Sequence, residues 1–310
     1  MNFSRRTLSQ VAFRGRLPAF AILLPVVVFL AAAVSPVPRG IAQAAEQNNG
    51  VPAGTPLDWV KAASTNELSI IDNDGALPLR YRVRKVDAHS DTTRAEIETR
   101  QGDVARLIER NGQPITAQED AAEKDRLNAI LQAPGEFLKH HKRDNSTRSD
   151  VLQLVRLMPQ AMIYSYAPGQ PQPPAATTPQ IVIDFHSDAA FKPPTILSEV
   201  LTGLDGRMWV DAKSRRLTRI EGRVLRPLNF GFGILARVYP GGTIELEQTN
   251  AGGDRWVYSH LMEHLTVRAM MVKTMPENSQ MTASDFRPLA APVSFQEAVH
   301  ILLGMQIPLR

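Results

Sequence analysis

The chain has no cysteine in 310 residues. That absence removes disulfides, thiol nucleophiles and cysteine-ligated metals together. It also removes attachment as a lipoprotein, which needs a cysteine at its mature N-terminus. A second absence lies at the N-terminal end, where no acidic residue precedes Glu46. Arg5, Arg6, Arg14 and Arg16 open the chain, and Leu17 to Val34 is an almost uncharged apolar run broken by Pro18 and Pro25. Ala42-Gln43-Ala44 then offers small residues at the two positions a signal peptidase reads. The pattern predicts a secretory leader over residues 1–44, cut after Ala44 for a periplasmic protein. The alternative is an uncleaved inner-membrane anchor, since the run is near the lower limit for crossing a bilayer. Ser4-Arg5-Arg6-Thr7-Leu8 resembles a twin-arginine export signal.

An excess of basic charge is also missing once the leader is set aside. Five of the 35 Lys and Arg fall in residues 1–44 and none of the 31 Asp and Glu, so the remainder carries 30 basic and 31 acidic residues. That balance gives no support for a nucleic-acid partner. No Ser-centred nucleophile elbow, phosphate-cradling Gly motif, pair of catalytic carboxylates or repeat of 20–50 residues is present. The expectation is a protein without catalysis and without a cofactor.

Residues 45–74 read as a polar arm and a short helix, and residues 75–310 as one domain. Leu79, Tyr81 and Val83 alternate with Arg80, Arg82 and Arg84, while Ala95, Ile97 and Thr99 alternate with Arg94, Glu96, Glu98 and Arg100. Val104 to Arg110 returns after a turn at Gln101-Gly102. These predict adjacent antiparallel strands with one wet face on which Arg and Glu pair. A helical insertion follows at about 112–159. Thr116 and Glu119 have capping-box spacing before a helix over 117–131, with further helices at 136–143 and from 149 or 150 to 158. Ala161 to Tyr166 reads as a strand. The loop 167–180, with five prolines, excludes a helix or an inner strand. Strands are expected at 181–186, 206–211, 217–226 and 243–248, with a short helix over 195–201 and a last helix over 294–303 capped by Ser294 and Glu297.

One motif carries sharper chemistry. His260-x-x-Glu263-His264 spells the ligand spacing of an inverted zinc peptidase, provided the segment is a helix. Gly252-Gly253 immediately before it, and strand-forming Trp256, Val257 and Tyr258, predict the returning arm of a hairpin instead. In a strand the two imidazoles lie about 13 Å apart and Glu263 points to the opposite face. Val257, Leu261, Leu265 and Val267 then share a face with Ser259 and Glu263. Trp256, Tyr258, His260, Met262, His264 and Thr266 share the other. Asp184 and His186 fall on one strand face as a second candidate dyad, although alternation alone accounts for them.

Gly206-x-x-Trp209-Val210-Asp211, a turn at Lys213-Ser214 and Leu217-x-Arg219-Ile220-Glu221-Gly222 are similar to the central hairpin of the LolA/LolB-like lipoprotein-carrier superfamily. The stretch from Gly241 to Leu289 resembles the successive long meander strands of that fold, and also the ending of exported bacterial proteins of unassigned function. The resemblance covers about residues 75–290. It implies an α+β fold in which a strongly curved antiparallel sheet, a half-barrel, is closed by helices packed over its concave face around an apolar hollow. The insertion at 112–159 and the loop at 167–180 are departures from that pattern.

An amphipathic sheet must bury its apolar face. Trp209, Ile220, Val224, Ile244, Leu246, Leu261, Leu265 and Val267 are the candidate lining residues, and helices at 117–131, 149–158 and 195–202 the candidate cover. The alternative is a sealed core. The functional expectation is an exported carrier-like protein whose partner is a lipid or an acylated protein. The alternative is a cell-envelope structural or interaction protein with a filled core, working through an envelope protein partner. The third reading is a zinc hydrolase centred on His260, Glu263 and His264.

Overall fold

The computed structural model describes residues 53–71, 77–174, 176–230, 236–269 and 273–310, with the backbone alone at 140–147, 269 and 273. The leader expected at 1–44 lies outside these residues. The strands are β1 (Leu79–Asp87), β2 (Asp91–Ile97), β3 (Val104–Arg110), β4 (Gln113–Pro114), β5 (Met162–Tyr166), β6 (Gln180–Ser187), β7 (Leu204–Asp211), β8 (Leu217–Val224), β9 (Leu228–Phe230), β10 (Ala236–Val238), β11 (Thr243–Asn250), β12 (Trp256–Ala269) and β13 (Lys273–Pro288). The helices are α1 (Pro56–Ile71), α2 (Ala117–Gln132), α3 (Gly135–Ala161) and α4 (Phe295–Leu303), and a 3-10 turn runs over Leu197–Thr202. The fold is α+β.

The strands form one antiparallel sheet in the order β4-β3-β2-β1-β13-β12-β11-β8-β7-β6-β5, with β10 paired to the tail of β12 and β9 paired to β10. Most neighbours in the sheet are neighbours in sequence. The exceptions are β8 beside β11, which β9 and β10 separate in sequence, β10 beside β12, and β1 beside β13. Turn chemistry matches the hairpins. Asn111 and Gly112 have φ of 53° and 69° between β3 and β4, the left-handed pair of an Asn-Gly turn. Among the described residues no helix is long and apolar enough to cross a membrane.

Register places two apolar cores on opposite faces. Leu261 pairs with Met281, Ala283 with Val83, and Val83 with Arg94. Arg94, and not Ala95, therefore shares the face of Leu261. On that face Trp59, Val60 and Ala63 of α1 and Leu154 and Met158 of α3 join the apolar residues of β6–β8 and β10–β12 in one buried cluster. Ala95 and Ile97 look the other way. Together with Val104 and Ile108 they are buried with Leu127 of α2 and Phe295, Ala298, Val299 and Leu302 of α4. This corrects the expected alignment of β1 with β2. Arg82 sits opposite Ala95 and Tyr81 opposite Glu96, so apolar and charged residues mix on each face. The helices, not the period of β1, decide which face is dry.

The helices predicted at 136–143 and 149–158 are one helix, α3. No Pro or Gly lies between residues 136 and 158, and a polar stretch alone does not end a helix. Pro159 falls in the last turn, where few backbone bonds remain to be lost. Both capping boxes form, Thr116 with Glu119 and Ser294 with Glu297.

Candidate functional site

Seven of the eight predicted lining residues come together. Ile220, Val224, Ile244, Leu246, Leu261, Leu265 and Val267 all belong to the core that α1 and α3 cover. Trp209 does not. It is 6 % exposed on the opposite face, against Ala167 and Val182. Its indole Nε1 donates to the Pro171 carbonyl at 2.9 Å, and the Arg219 guanidinium lies 5.5 Å from the ring centre. The proline-rich loop is thus its lid, while Met208 and Val210 take the inward positions of β7. Of the predicted cover, 149–158 and 195–202 contribute Leu154, Met158, Val200 and Leu201 to this core. Helix 117–131 belongs to the other one. The element not foreseen as cover is α1.

A hollow lies between α1, α3 and the sheet. Val60, Ala63, Ser64 and Glu67 of α1 line it, with Val155 and Met158 of α3 and Met208, Leu217, Ile220 and Leu246 of the sheet. It encloses about 40 Å³ within a partly open space of about 490 Å³. The lining is apolar except for Ser64 and Glu67.

Glu67 is 6 % exposed and anchors a polar trio in this setting. Its Oε2 accepts from Gln248 Nε2 at 2.7 Å, and its Oε1 accepts from the Tyr258 hydroxyl. Burial pushes the Glu67 carboxyl above its ordinary value, against the two hydrogen bonds that favour the charged form. Burial and the facing Glu67 hold the Tyr258 phenol well above its ordinary range. Gln248 Oε1 is buried without a hydrogen-bond partner.

Local structure explains how each group arrives there. Glu67 continues the buried stripe of α1 formed by Trp59, Val60 and Ala63. Gln248 continues the inward period of Ile244 and Leu246. Tyr258 was expected to share a face with His260. A register shift separates the pairs Glu247 to His260 and Gln248 to Tyr258, leaving Ser259 as an extra residue on β12. Such a bulge reverses which side chains point inward. Sequence reasoning missed the trio, although two signals were available: a glutamate on the dry stripe of a helix and a glutamine on the dry face of a strand.

His260, Glu263 and His264 lie on β12 as the hairpin predicts. His260 Nδ1 is 3.4 Å from Thr282 Oγ1, and His264 Nδ1 is 3.2 Å from Asn278 Oδ1, both on the exposed face. Glu263 is 3 % exposed on the other face, where Oε2 accepts from Ser279 Oγ at 2.6 Å and burial raises its pKa. One metal ion cannot be reached by groups on both faces of a strand. Among the described residues no group of three His, Cys, Asp or Glu side chains could hold a metal. Asp184 is engaged by Arg207, at 2.6 and 3.0 Å.

The chain matches no family model, no curated protein and no solved structure.

Proposed function

We propose that the protein is an exported, carrier-like protein that binds one apolar chain, of a lipid or an acylated protein, between α1 and the sheet without catalysis. The observation that carries the reading is the apolar hollow under α1 with a hydrogen-bonded carboxyl set into its wall. Pockets that take small ligands are mostly apolar with a few convergent polar groups. Burial of alkyl carbons at about 0.8 kcal/mol per methylene supplies the affinity, and the Glu67, Gln248 and Tyr258 trio gives one wall a polar preference. The 40 Å³ enclosed now has room for only a few water molecules. An acyl chain enters as α1 moves outward from the sheet.

The finer form of the fold in this reading is a strongly curved half-barrel with its hollow side under α1 and α3. Register shifts at four strand pairs support it, β1 with β13, β2 with β3, β7 with β8 and β11 with β12, because bulges bend sheets. So does the direct pairing of Gly206 with Gly222 on β7 and β8. A Cβ at Gly206 would collide with the Glu221 carbonyl, a closeness that favours glycine.

Native mass spectrometry of the mature protein purified from its own export compartment, followed by lipid extraction, tests the reading. Bound phospholipid or acylated peptide is the expected result. An apo mass, with no lipid recovered and none taken up from added vesicles, overturns it. That outcome selects the second reading, a cell-envelope interaction protein with a filled core, which the small enclosed volume favours.

A further inference from the structure

Away from the hollow, two arginines face each other directly. Arg237 on β10 and Arg268 on β12 are cross-strand partners. They lie on the opposite face from Val267, which is part of the core under α1 and α3. Like charges placed opposite on neighbouring strands repel. Asn229 extends the row on β9 and Thr274 extends it on β13. The adjacent row holds Thr266 and Pro276. Neither row contains a carboxylate, and the segments 231–235 and 270–272 that join these strands contain no acidic residue.

Several other arginines on or beside the sheet have acidic partners, although Arg80 and Arg287 also stand opposite each other on β1 and β13. Arg84 pairs with Asp91, Arg207 with Asp184, Arg255 with Glu98, and Arg219 with Glu221, Glu245 and Glu247. Among the described residues no acid pairs with Arg237 or Arg268, and the Nε of each is buried without a hydrogen-bond partner. The Tyr239 ring lies 5.5 Å from the Arg237 guanidinium carbon. It holds the group in place without neutralising it.

We propose that Arg237 and Arg268 form a binding site for a phosphate group, carried by a lipid headgroup or free in solution. Two guanidinium forks on adjacent strands suit an oxyanion with several acceptor oxygens. The Asn229 amide and the Thr274 hydroxyl stand in the same row as further donors. Because the site and the hollow are on opposite faces, one molecule cannot fill both. A lipid phosphate held here attaches the protein to an anionic membrane surface. The site does not depend on what the hollow binds.

The test uses the mature protein, its Arg237→Gln, Arg268→Gln and Arg237→Lys variants, inorganic phosphate at constant ionic strength, and vesicles of phosphatidylglycerol or of phosphatidylcholine. Phosphate is expected to raise the melting temperature of the unsubstituted protein. Without phosphate, each Gln variant is expected to melt at or above it, since one of two opposed charges is gone. Apparent phosphate affinity falls by about tenfold or more in the Gln variants, the effect of losing a charged hydrogen-bonding partner. Arg237→Lys keeps the charge and loses the fork, and gives an intermediate loss. Arginine-dependent sedimentation with phosphatidylglycerol vesicles, and none with phosphatidylcholine, identifies the headgroup as the source. A phosphate response without vesicle binding identifies free phosphate. An equal phosphate response in all four proteins overturns the proposal, as does a lower melting temperature in the Gln variants with the phosphate response intact.

Discussion

Glu67 holds a carboxyl inside an otherwise apolar wall, and its protonation state reaches stability through linkage. Its pKa is raised by burial from the ordinary value of 4.5. The folded protein therefore binds this proton more tightly than the unfolded chain does. The contribution is fully present below pH 4.5 and is lost as pH rises through the folded value. The Tyr258 and Gln248 hydrogen bonds and the charge of Arg216 moderate the shift. Glu67→Gln removes this titration. Urea melts at a series of pH values should show wild type losing stability relative to the variant as pH rises above 4.5, with Glu67→Gln at least as stable at neutral pH. Protonation also gives the carboxyl a hydrogen to donate, and a flipped Gln248 amide can then offer its Oε1 as acceptor. At this scale the sequence was half legible. Periodicity placed seven lining residues on one face. It could not place Tyr258, because a one-residue bulge reverses the alternation. Trp209 was assigned by hydrophobicity, whereas its alternation with Met208 and Val210 already pointed it outward.

At the scale of elements, two open stretches of strand edge, on β3 and on β6, are sealed by side chains in place of strands. The outer edge of β3 meets α2. There the Leu107 N–H donates to Glu123 at 2.8 Å, and Arg126 donates to the Ala105 carbonyl. This removes an edge that would otherwise invite pairing with another chain. Arg106, 1 % exposed, locks α2 and α4 to β3. It donates to Asp120 at 2.6 Å, to the Met305 carbonyl at 2.9 Å and to the Leu302 carbonyl at the end of α4. Arg106→Ala leaves Asp120 without this partner, and the expected cost is about 3–5 kcal/mol by denaturant titration. Arg106→Met with Asp120→Leu should cost less than the two single changes added together, because no buried charge remains. The second edge lies on β6 beyond the end of β5. Gln170 bonds the N–H and C=O of Val182, and Gln172 bonds those of Gln180. Replacing both glutamines by Ala should speed hydrogen exchange at the Val182 and Gln180 amides by about tenfold or more, with little change in global melting. The composition of this loop announced its prolines. What pins it is two glutamines, which composition does not distinguish from solvated ones.

Over the whole molecule, one sheet serves two cores on opposite faces. Alternation identified strands and turns along most of the second half, and capping residues fixed the starts of α2 and α4. Which face each strand buries was less legible, since that depends on helices far away in sequence. Ala95 is dry because α2 and α4 cover it, and Arg94 beside it reaches Glu123 at 3.4 Å. The short strands β9 and β10 carried too few residues for a period to show. The hollow itself depends on α1, whose buried stripe includes a glutamate. Filling it tests its use. Ala63→Leu places added carbons in the space an alkyl chain would take. It should weaken binding of a fluorescent fatty acid by about tenfold or more while leaving the melting temperature within a few degrees.

The pairing of β1 with β13 sets an order of assembly. Leu79 lies opposite Pro288, near the other end of the chain. While residues are delivered in sequence, β1 can recruit β2 at once, but its second edge stays bare until the last strand arrives. The β1–β4 segment and the β5–β12 segment have no shared strand to join them before then. Such distant closure slows folding and leaves an open strand edge during the wait. The final hairpin is therefore a clasp: a chain cut short before residue 273 keeps two part-sheets and loses what makes them one.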